Sequence, residues 1–491
     1  MKDNIIKKTI AFLLYLCIFM AIHITPMQAN TLSIQGNVNI RVSLSSGINI
    51  ANFRVERGSY YLIDEGTGII VGQPAQGALW SIIKKGPVLD VEMGGQPVSI
   101  AFKGPLALIP HDQQALNLIS FSNTMYRATI RFINENEGIR VINELDIERY
   151  LYGVVGPEMG TSADFEALKA QAVVSRSYAL ASMNRRNVFD VTNNITTQVY
   201  RGYSAETLPG GSKAIKAVDD TAGEVIYYED TLVKAFYHAN AGGYTASSEN
   251  VWHNPLPYLK ATPSPYDIFA FNYPHQSRGW PANTYKWERT VSITEAQQMI
   301  EKYYQNSSSM NIGSLLNLST RQLDHATKGT TLCGRVTELK LYGTAGTETV
   351  IKDQIRNIFG LRSTKFEIKM DSTVFVKNGN NAVVQINSAD GLKVIGREGA
   401  IAGVNGGNPN YTVKNKVAAR QIPKTFTEIT FDGYGHGHGV GMSQWGARGM
   451  AASGYNYREI IEHYYNLGKN DGKLRILNYY TSIPVIHENE L

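Results

Sequence analysis

The chain predicts a β-rich α+β fold that opens with an all-β unit. Val38, Ile40, Val42 and Leu44 alternate with Asn39, Arg41 and Ser43, a period of two. The alternation returns over residues 126–145, YRATIRFINENEGIRVINEL, and few stretches carry helical spacing. The 45 Gly and 28 Tyr fit short strands joined by many turns. A hydrophobic share of 43% with 18% charged residues excludes a disordered chain. A length of 491 residues holds two to three domains.

In chain order, Lys2, Lys7 and Lys8 precede an apolar run from Ile10 to Ile24. That run is short for a membrane span and suits the core of an export signal, so residues 1–29 read as a signal peptide or an uncleaved anchor. Cut after Ala29, the chain keeps Cys333 alone, and no intramolecular disulfide can form. The net charge of +5 falls to +3 with the loss of Lys2, Asp3, Lys7 and Lys8. This is too weak to argue for nucleic acid, and it allows only modest attraction to an anionic wall.

Residues 31–115 read as strands with turns at Ser45–Gly47, Asp64–Gly66 and Gly94–Gly95. Residues 126–145 read as a hairpin with residues 134–138 as its loop. Thr161 and Asp164 have capping-box spacing before a helix whose apolar face holds Phe165, Leu168, Ala172, Ala179 and Leu180 and which ends near Arg185–Asn187. Residues 213–260 mix strands and turns, with a tight turn at Asn240–Gly243. Residues 265–330, rich in Pro, Tyr, Ser and Asn, read as an insertion with one helix over 294–305. Strands are expected at 336–342, 366–370 and 426–431, a turn-rich loop at 391–407, and a last helix over 457–466 capped by Gly468. Residues 471–491 read as a tail.

Residues 435–451, GHGHGVGMSQWGARGMA, are the most informative stretch. Glycine at alternate positions leaves one side of an extended backbone bare, so a ligand or another strand can approach. In a strand His436 and His438 would share a face; a glycine-rich turn with solvated histidines is the plainer alternative. The pair also invites a metal, with His238 and His253 as further ligands, but no HExxH or CxxC accompanies them. Glu158 follows Pro157 and precedes Gly160 among the apolar Val154, Val155 and Met159. Desolvation there would raise its pKa towards general-acid use, while a nearby helix N-terminus would oppose this. On the residues alone it reads equally as a helix-start carboxylate contributing about 0.3–1 kcal/mol.

That glycine–histidine run resembles the C-terminal signature of the SpoIID/LytB family, which includes stage II sporulation protein D and the amidase enhancers. Upstream, residues 150–159 (YLYGVVGPEM), 167–172 (ALKAQA), 176–179 (RSYA), 198–202 (QVYRG), 238–243 (HANAGG), 251–252 (VW) and 257–259 (PYL) are similar to further family segments, in family order over residues 126–467. The family usually has Ser where Ala241 stands, and Ser before Gly334 where this chain has Cys333, which reads as a small core residue. The resemblance implies a SpoIID/LytB domain over 116–470 with a substrate groove. It implies a peptidoglycan lytic transglycosylase that needs no cofactor. Its substrate would be glycan strands stripped of stem peptides, its partner a cell-wall amidase, and its location the cell wall or the outer face of the membrane. It makes Glu158 the catalytic acid. Arg176, Tyr178, Gln198, Tyr200, His238, His436, His438 and Gln444 become candidate substrate contacts; Arg176 would otherwise be an ion pair on a solvated helix face. A non-catalytic amidase enhancer, and a wall-binding module built on residues 31–115, are the rival readings.

Overall fold

The structure, a computed structural model, describes residues 38–482 apart from 99–100, 253, 273–283, 306–311, 378–379, 387–392, 396–400, 404–409, 415–418 and 424. The 1–29 segment, His253 and most of the 391–407 loop therefore lie outside the described residues.

The N-terminal strands form two antiparallel sheets with one local exception. Asn39–Ile48 pairs with Gly138–Asp146, which pairs with Thr129–Glu135, and the sheet continues through Leu106–Pro110, Tyr60–Asp64 and Ile69–Gly72. On its other edge Asn39–Ile48 lies parallel to Val191–Thr192. The second sheet is centred on Ile50–Arg57 between Leu118–Phe121 and Trp80–Lys85. The period of two does what the sequence predicts: Ile40 and Val42 are fully buried and Asn39 is exposed. The sheets run across residue 115, because strands from 39–110 and from 118–146 alternate within them. One continuous core extends from Ile40 to Tyr465 and fixes this β unit against the helices that follow. Arg41 adds a clamp, with Nε and Nη2 donating to Asp190 at 3.1 and 2.9 Å.

Three helices follow the hairpin: Ile147–Tyr152, the one-turn Val155–Met159, and Phe165–Ser182. The long helix departs from expectation in three ways. Thr161 does not cap it; its hydroxyl donates to Pro209 C=O at 2.9 Å, and Asp164 occupies the N-cap position without a side-chain bond. It ends at Ser182, and Arg185 turns away to Asp190 and Asn39. Its burial covers nearly every side from Ala167 to Leu180. Ala and Ser at many positions let neighbours approach all round, so this is an interior helix with no solvated face.

A second hydrophobic core, from Trp287 to Phe431, organises a separate lobe. Lys286–Ser292, Glu428–Tyr434 and Phe366–Met370 form one sheet, and Leu315–Arg321, Glu338–Gly343 and Thr347–Ile351 another. The expected helix is present as Ile293–Tyr304, capped by Ser292 through Glu295 N–H at 3.1 Å. Three two-stranded hairpins lie between Met370 and Glu428. The last long helix, Tyr457–Asn466, carries an Asn456–Glu459 capping box, and Leu467 at φ 61° takes the left-handed cap position assigned to Gly468.

Candidate active site

Glu158 lies at the C-terminal end of the one-turn helix Val155–Met159, and Gly160 at φ 77° turns the chain away. It does not belong to the start of the long helix, so the opposing dipole the sequence suggested is not built at its carboxyl. Arg448, itself buried, clamps this turn by donating Nη1 to Met159 C=O at 2.8 Å and Nη2 to Ser162 Oγ at 3.1 Å.

Three donors meet the half-buried Glu158 carboxyl. Val199 N–H donates to Oε1 at 2.6 Å, and Gln444 Nε2 donates to Oε2 at 3.1 Å and to the Glu158 carbonyl at 2.9 Å. The Tyr237 hydroxyl is the third. Burial pushes the Glu158 pKa above the ordinary carboxylate range, and the three donors partly pull it back. The result is an acid that holds its proton more tightly than a solvated glutamate and has donors ready for its ionised form.

Local structure explains the convergence. Tyr237–His238 runs parallel to Met442–Ser443, with Tyr237 opposite Met442 and Gln444 following directly on Ser443. Ser443 caps the helix Gln444–Ala452, accepting from Gly446 N–H at 3.2 Å, so Gln444 emerges at the helix start. Buried Asp267 accepts from Ser443 Oγ and, at 2.8 Å, from Gly243 N–H, tying the 240–243 turn to that cap. Behind the carboxyl, Gln198 donates to the Tyr237 hydroxyl at 3.2 Å and to Ser175 C=O at 3.3 Å, and accepts from the Tyr150 hydroxyl at 3.0 Å. Gln171 accepts from Gln444 at 3.3 Å and donates to Ser175 Oγ at 2.8 Å.

The glycine–histidine run is not the pleated strand that would give its histidines one face. Gly435, Gly437, Gly439 and Gly441 all have positive φ, between 72° and 103°. A Cβ on Gly441 would stand 2.0 Å from Phe236 O, and one on Gly439 2.3 Å from Arg335 Cζ. Glycine is required here by both backbone angle and space. His438 accepts from Val440 N–H at 3.1 Å on Nδ1 and donates to the Tyr237 backbone carbonyl. Its ring packs on Trp252 and His238, with centroids 5.1 and 5.5 Å apart. It is thus a neutral strut beneath Tyr237, and burial, before any charge, pushes its pKa down to about 4. His238 donates Nδ1–H to Val440 C=O at 3.1 Å, and its Nε2 has no partner. His436 is lowered to about 4, by burial first and then by Arg362 and Arg356.

The predicted site residues therefore divide. Glu158 and Gln444 meet directly. Gln198 is fully buried one layer behind, spent on two tyrosines, so it is not placed to touch a substrate. Tyr178 flanks the site, edge-on to Tyr237 at 6.3 Å. His238, His436 and His438 adjoin it. Arg176 and Tyr200 are corrections to the candidate substrate contacts. Arg176 is fully buried and grips Glu148 with Nε and Nη2 at 2.9 and 2.6 Å, while Nη1 donates to Glu224 C=O at 3.0 Å. Tyr200, 2% exposed, gives its hydroxyl to Asn143 at 2.7 Å, so both side chains are spent on the scaffold. Sequence reasoning missed Tyr237, Gln171 and Asp267. Tyr237 stands next to a quoted motif and Gln171 inside one, whereas Asp267 fell in the presumed insertion and gave no signal. Among the described residues no three His, Cys, Asp or Glu converge on a metal position.

Fold and site define a β-rich α+β protein built around one half-buried acid. A family model described as stage II sporulation protein, SpoIID, matches residues 135–228, which hold Glu158 and Val199. A domain of unknown function matches residues 271–397, much of the second lobe. Stage II sporulation protein D of Bacillus amyloliquefaciens is 27% identical over 338 residues, 66% of this chain and 74% of its own length. The amidase enhancer of Bacillus subtilis is 27% identical over 375 residues, 73% of this chain and 46% of its own, so the chain spans about half of that relative. An uncharacterized protein of Brachyspira hyodysenteriae is 29% identical over 349 residues, 70% of this chain and 71% of its own. These matches support the resemblance to the SpoIID/LytB family.

Proposed function

We propose that the chain is an exported peptidoglycan lytic transglycosylase. It would cleave the bond between N-acetylmuramic acid and N-acetylglucosamine in peptide-stripped glycan strands, at the wall or the outer face of the membrane, in sporulation or septal wall remodelling and without a cofactor. The observation that carries this reading is Glu158: a carboxyl whose pKa burial raises, with Val199 N–H, Gln444 and Tyr237 placed to stabilise it once ionised.

One carboxyl serves both steps. Glu158 gives its proton to the glycosidic oxygen as the bond from the muramoyl C1 breaks. The carboxylate then takes the proton of the muramoyl C6 hydroxyl as its oxygen bonds to C1 and closes the 1,6-anhydro ring. The proton returns to Glu158 and no water is consumed. Hydrolytic glycosidases use two carboxyls; no second carboxyl is among the groups that set the Glu158 pKa.

The name of the Bacillus subtilis relative favours a second reading, a non-catalytic enhancer that binds wall and activates a separate amidase. Mass spectrometry of amidase-stripped glycan strands incubated with the chain and with Glu158→Gln separates the two. Anhydro-muramoyl products from the wild type alone are expected. No products from either folded protein, with amidase stimulation that survives Glu158→Gln, would overturn the enzyme reading.

A further inference from the structure

Three lysines of this chain have their pKa pushed below the ordinary range by burial: Lys234, Lys352 and Lys365. Two of them have an acceptor. Lys352 donates Nζ to Trp252 C=O at 2.5 Å, and Lys365 donates Nζ to Gly242 C=O at 2.7 Å. Lys234 is the exception. Its half-buried ammonium stands over the rings of Tyr178 and Phe236, 5.6 Å from each centroid. Among the described residues no carboxylate and no hydrogen-bond acceptor meets it, and burial alone shifts its pKa. The two rings offset part of the cost of desolvating that charge, but a half-buried ammonium still lacks its hydrogen bonds.

The place adjoins the acid. Tyr178 is edge-on to Tyr237 at 6.3 Å, and the Tyr237 hydroxyl reaches Glu158. The charge of Glu158 is also felt at the Tyr178 hydroxyl. From Phe236 the row of rings continues to Trp252, with centroids 4.5 Å apart, and Trp252 packs on His438 at 5.1 Å. Phe236 and Trp252 are both partly exposed. An open aromatic row with an unpaired ammonium on it therefore borders the Glu158 site.

We propose that Lys234, with Phe236 and Trp252, forms a subsite for the 2-acetamido group of an N-acetylhexosamine unit next to the scissile bond. This rests on the glycan reading above and deepens it. An acetamido group has two unlike ends. Its carbonyl oxygen accepts a hydrogen bond from the ammonium, and its methyl group covers an aromatic face. Carboxylates favour the paired donors of a guanidinium, whereas the cation here is a single lysine framed by rings. A sugar with a plain hydroxyl at that carbon leaves the ammonium unpaired, so Lys234 selects for the N-acetyl group.

The test is equilibrium binding of the full chain carrying Glu158→Gln, so that nothing is cleaved. The probes are chitohexaose and cellohexaose, neutral strands that differ in the acetamido group, and glycan strands of peptidoglycan with and without stem peptides. Chitohexaose should bind about tenfold tighter than cellohexaose, the worth of one hydrogen bond to a charged group. Adding Lys234→Met, which keeps the length of the side chain, should erase that preference and leave cellohexaose binding unchanged. Lys234→Arg should retain part of it. The urea midpoint of Lys234→Met should stay level or rise, because the change removes an unpaired charge. A lower midpoint with equal weakening of both neutral probes would make Lys234 a scaffold residue and overturn the subsite. Equal binding of chitohexaose and cellohexaose by the parent protein overturns it too. A loss confined to the peptidoglycan strands, with chitohexaose unaffected, overturns it in favour of a carboxylate. No binding of any peptidoglycan strand by the folded protein overturns the glycan reading itself.

Discussion

Removing one oxygen from Tyr237 should move the pH dependence of the reaction. In Tyr237→Phe the Glu158 carboxylate loses one of three donors and keeps Val199 N–H at 2.6 Å and Gln444 at 3.1 Å. Tyr237 is neutral at working pH, because burial pushes its hydroxyl well above the ordinary range, so the change removes a hydrogen bond and no charge. Gln198 loses that partner but retains Ser175 C=O at 3.3 Å. A hydrogen bond to a charged group is worth about 1.5–3 kcal/mol. At 1.36 kcal/mol per tenfold, that raises the proton affinity of Glu158 about ten- to hundredfold. In the proposed reaction the protonated acid acts first, so kcat/KM would fall as Glu158 ionises on the alkaline side. The alkaline limb of anhydro-muramoyl product formation should therefore move up by about one to two pH units in the variant. An alkaline limb that stays in place in a folded Tyr237→Phe protein would refute the assignment of the hydroxyl to Glu158.

Arg176→Ala leaves the partly exposed Glu148 carboxyl with only Gly223 N–H and the Tyr480 hydroxyl and opens a gap where the buried guanidinium stood, which should cost about 3 kcal/mol in urea unfolding, with Arg176→Lys recovering only part because it cannot form the two-pronged pair. A substitution there that left the unfolding midpoint unchanged would remove Arg176 from the scaffold. The protein should also lose stability as pH falls from about 6.5 towards 4. The unfolded chain protonates His436 and His438 near the ordinary histidine value, whereas the folded chain resists until about 4, so acid favours the unfolded state in that window. Urea titrations at several pH values check this, and His436→Gln should flatten the dependence.

Much of this protein is written locally. The period of two in Val38–Leu44 set a strand with Ile40 and Val42 inward, and Ser292 and Asn456 capped helices where helical spacing began, because these signals act within a few residues. Glu158 and Gln444 could be named from their motifs. The contact between them could not, since 286 residues separate them and long-range packing, including the Arg448 grip on Met159 C=O, brings them together. Burial around the long helix was equally non-local. Its composition allowed a solvated face for Arg176, and packing from every side turned that arginine into an interior clamp. The glycines at 435–441 announced a special backbone, but the neighbours that leave no room for a Cβ there, Asn240, His238, Arg335 and Phe236, come from distant segments. Residue type and spacing determined the strands, the helices and the acid; chain crossings between distant segments determined which donors meet that acid, because desolvation and hydrogen bonding depend on neighbours in space and not in sequence.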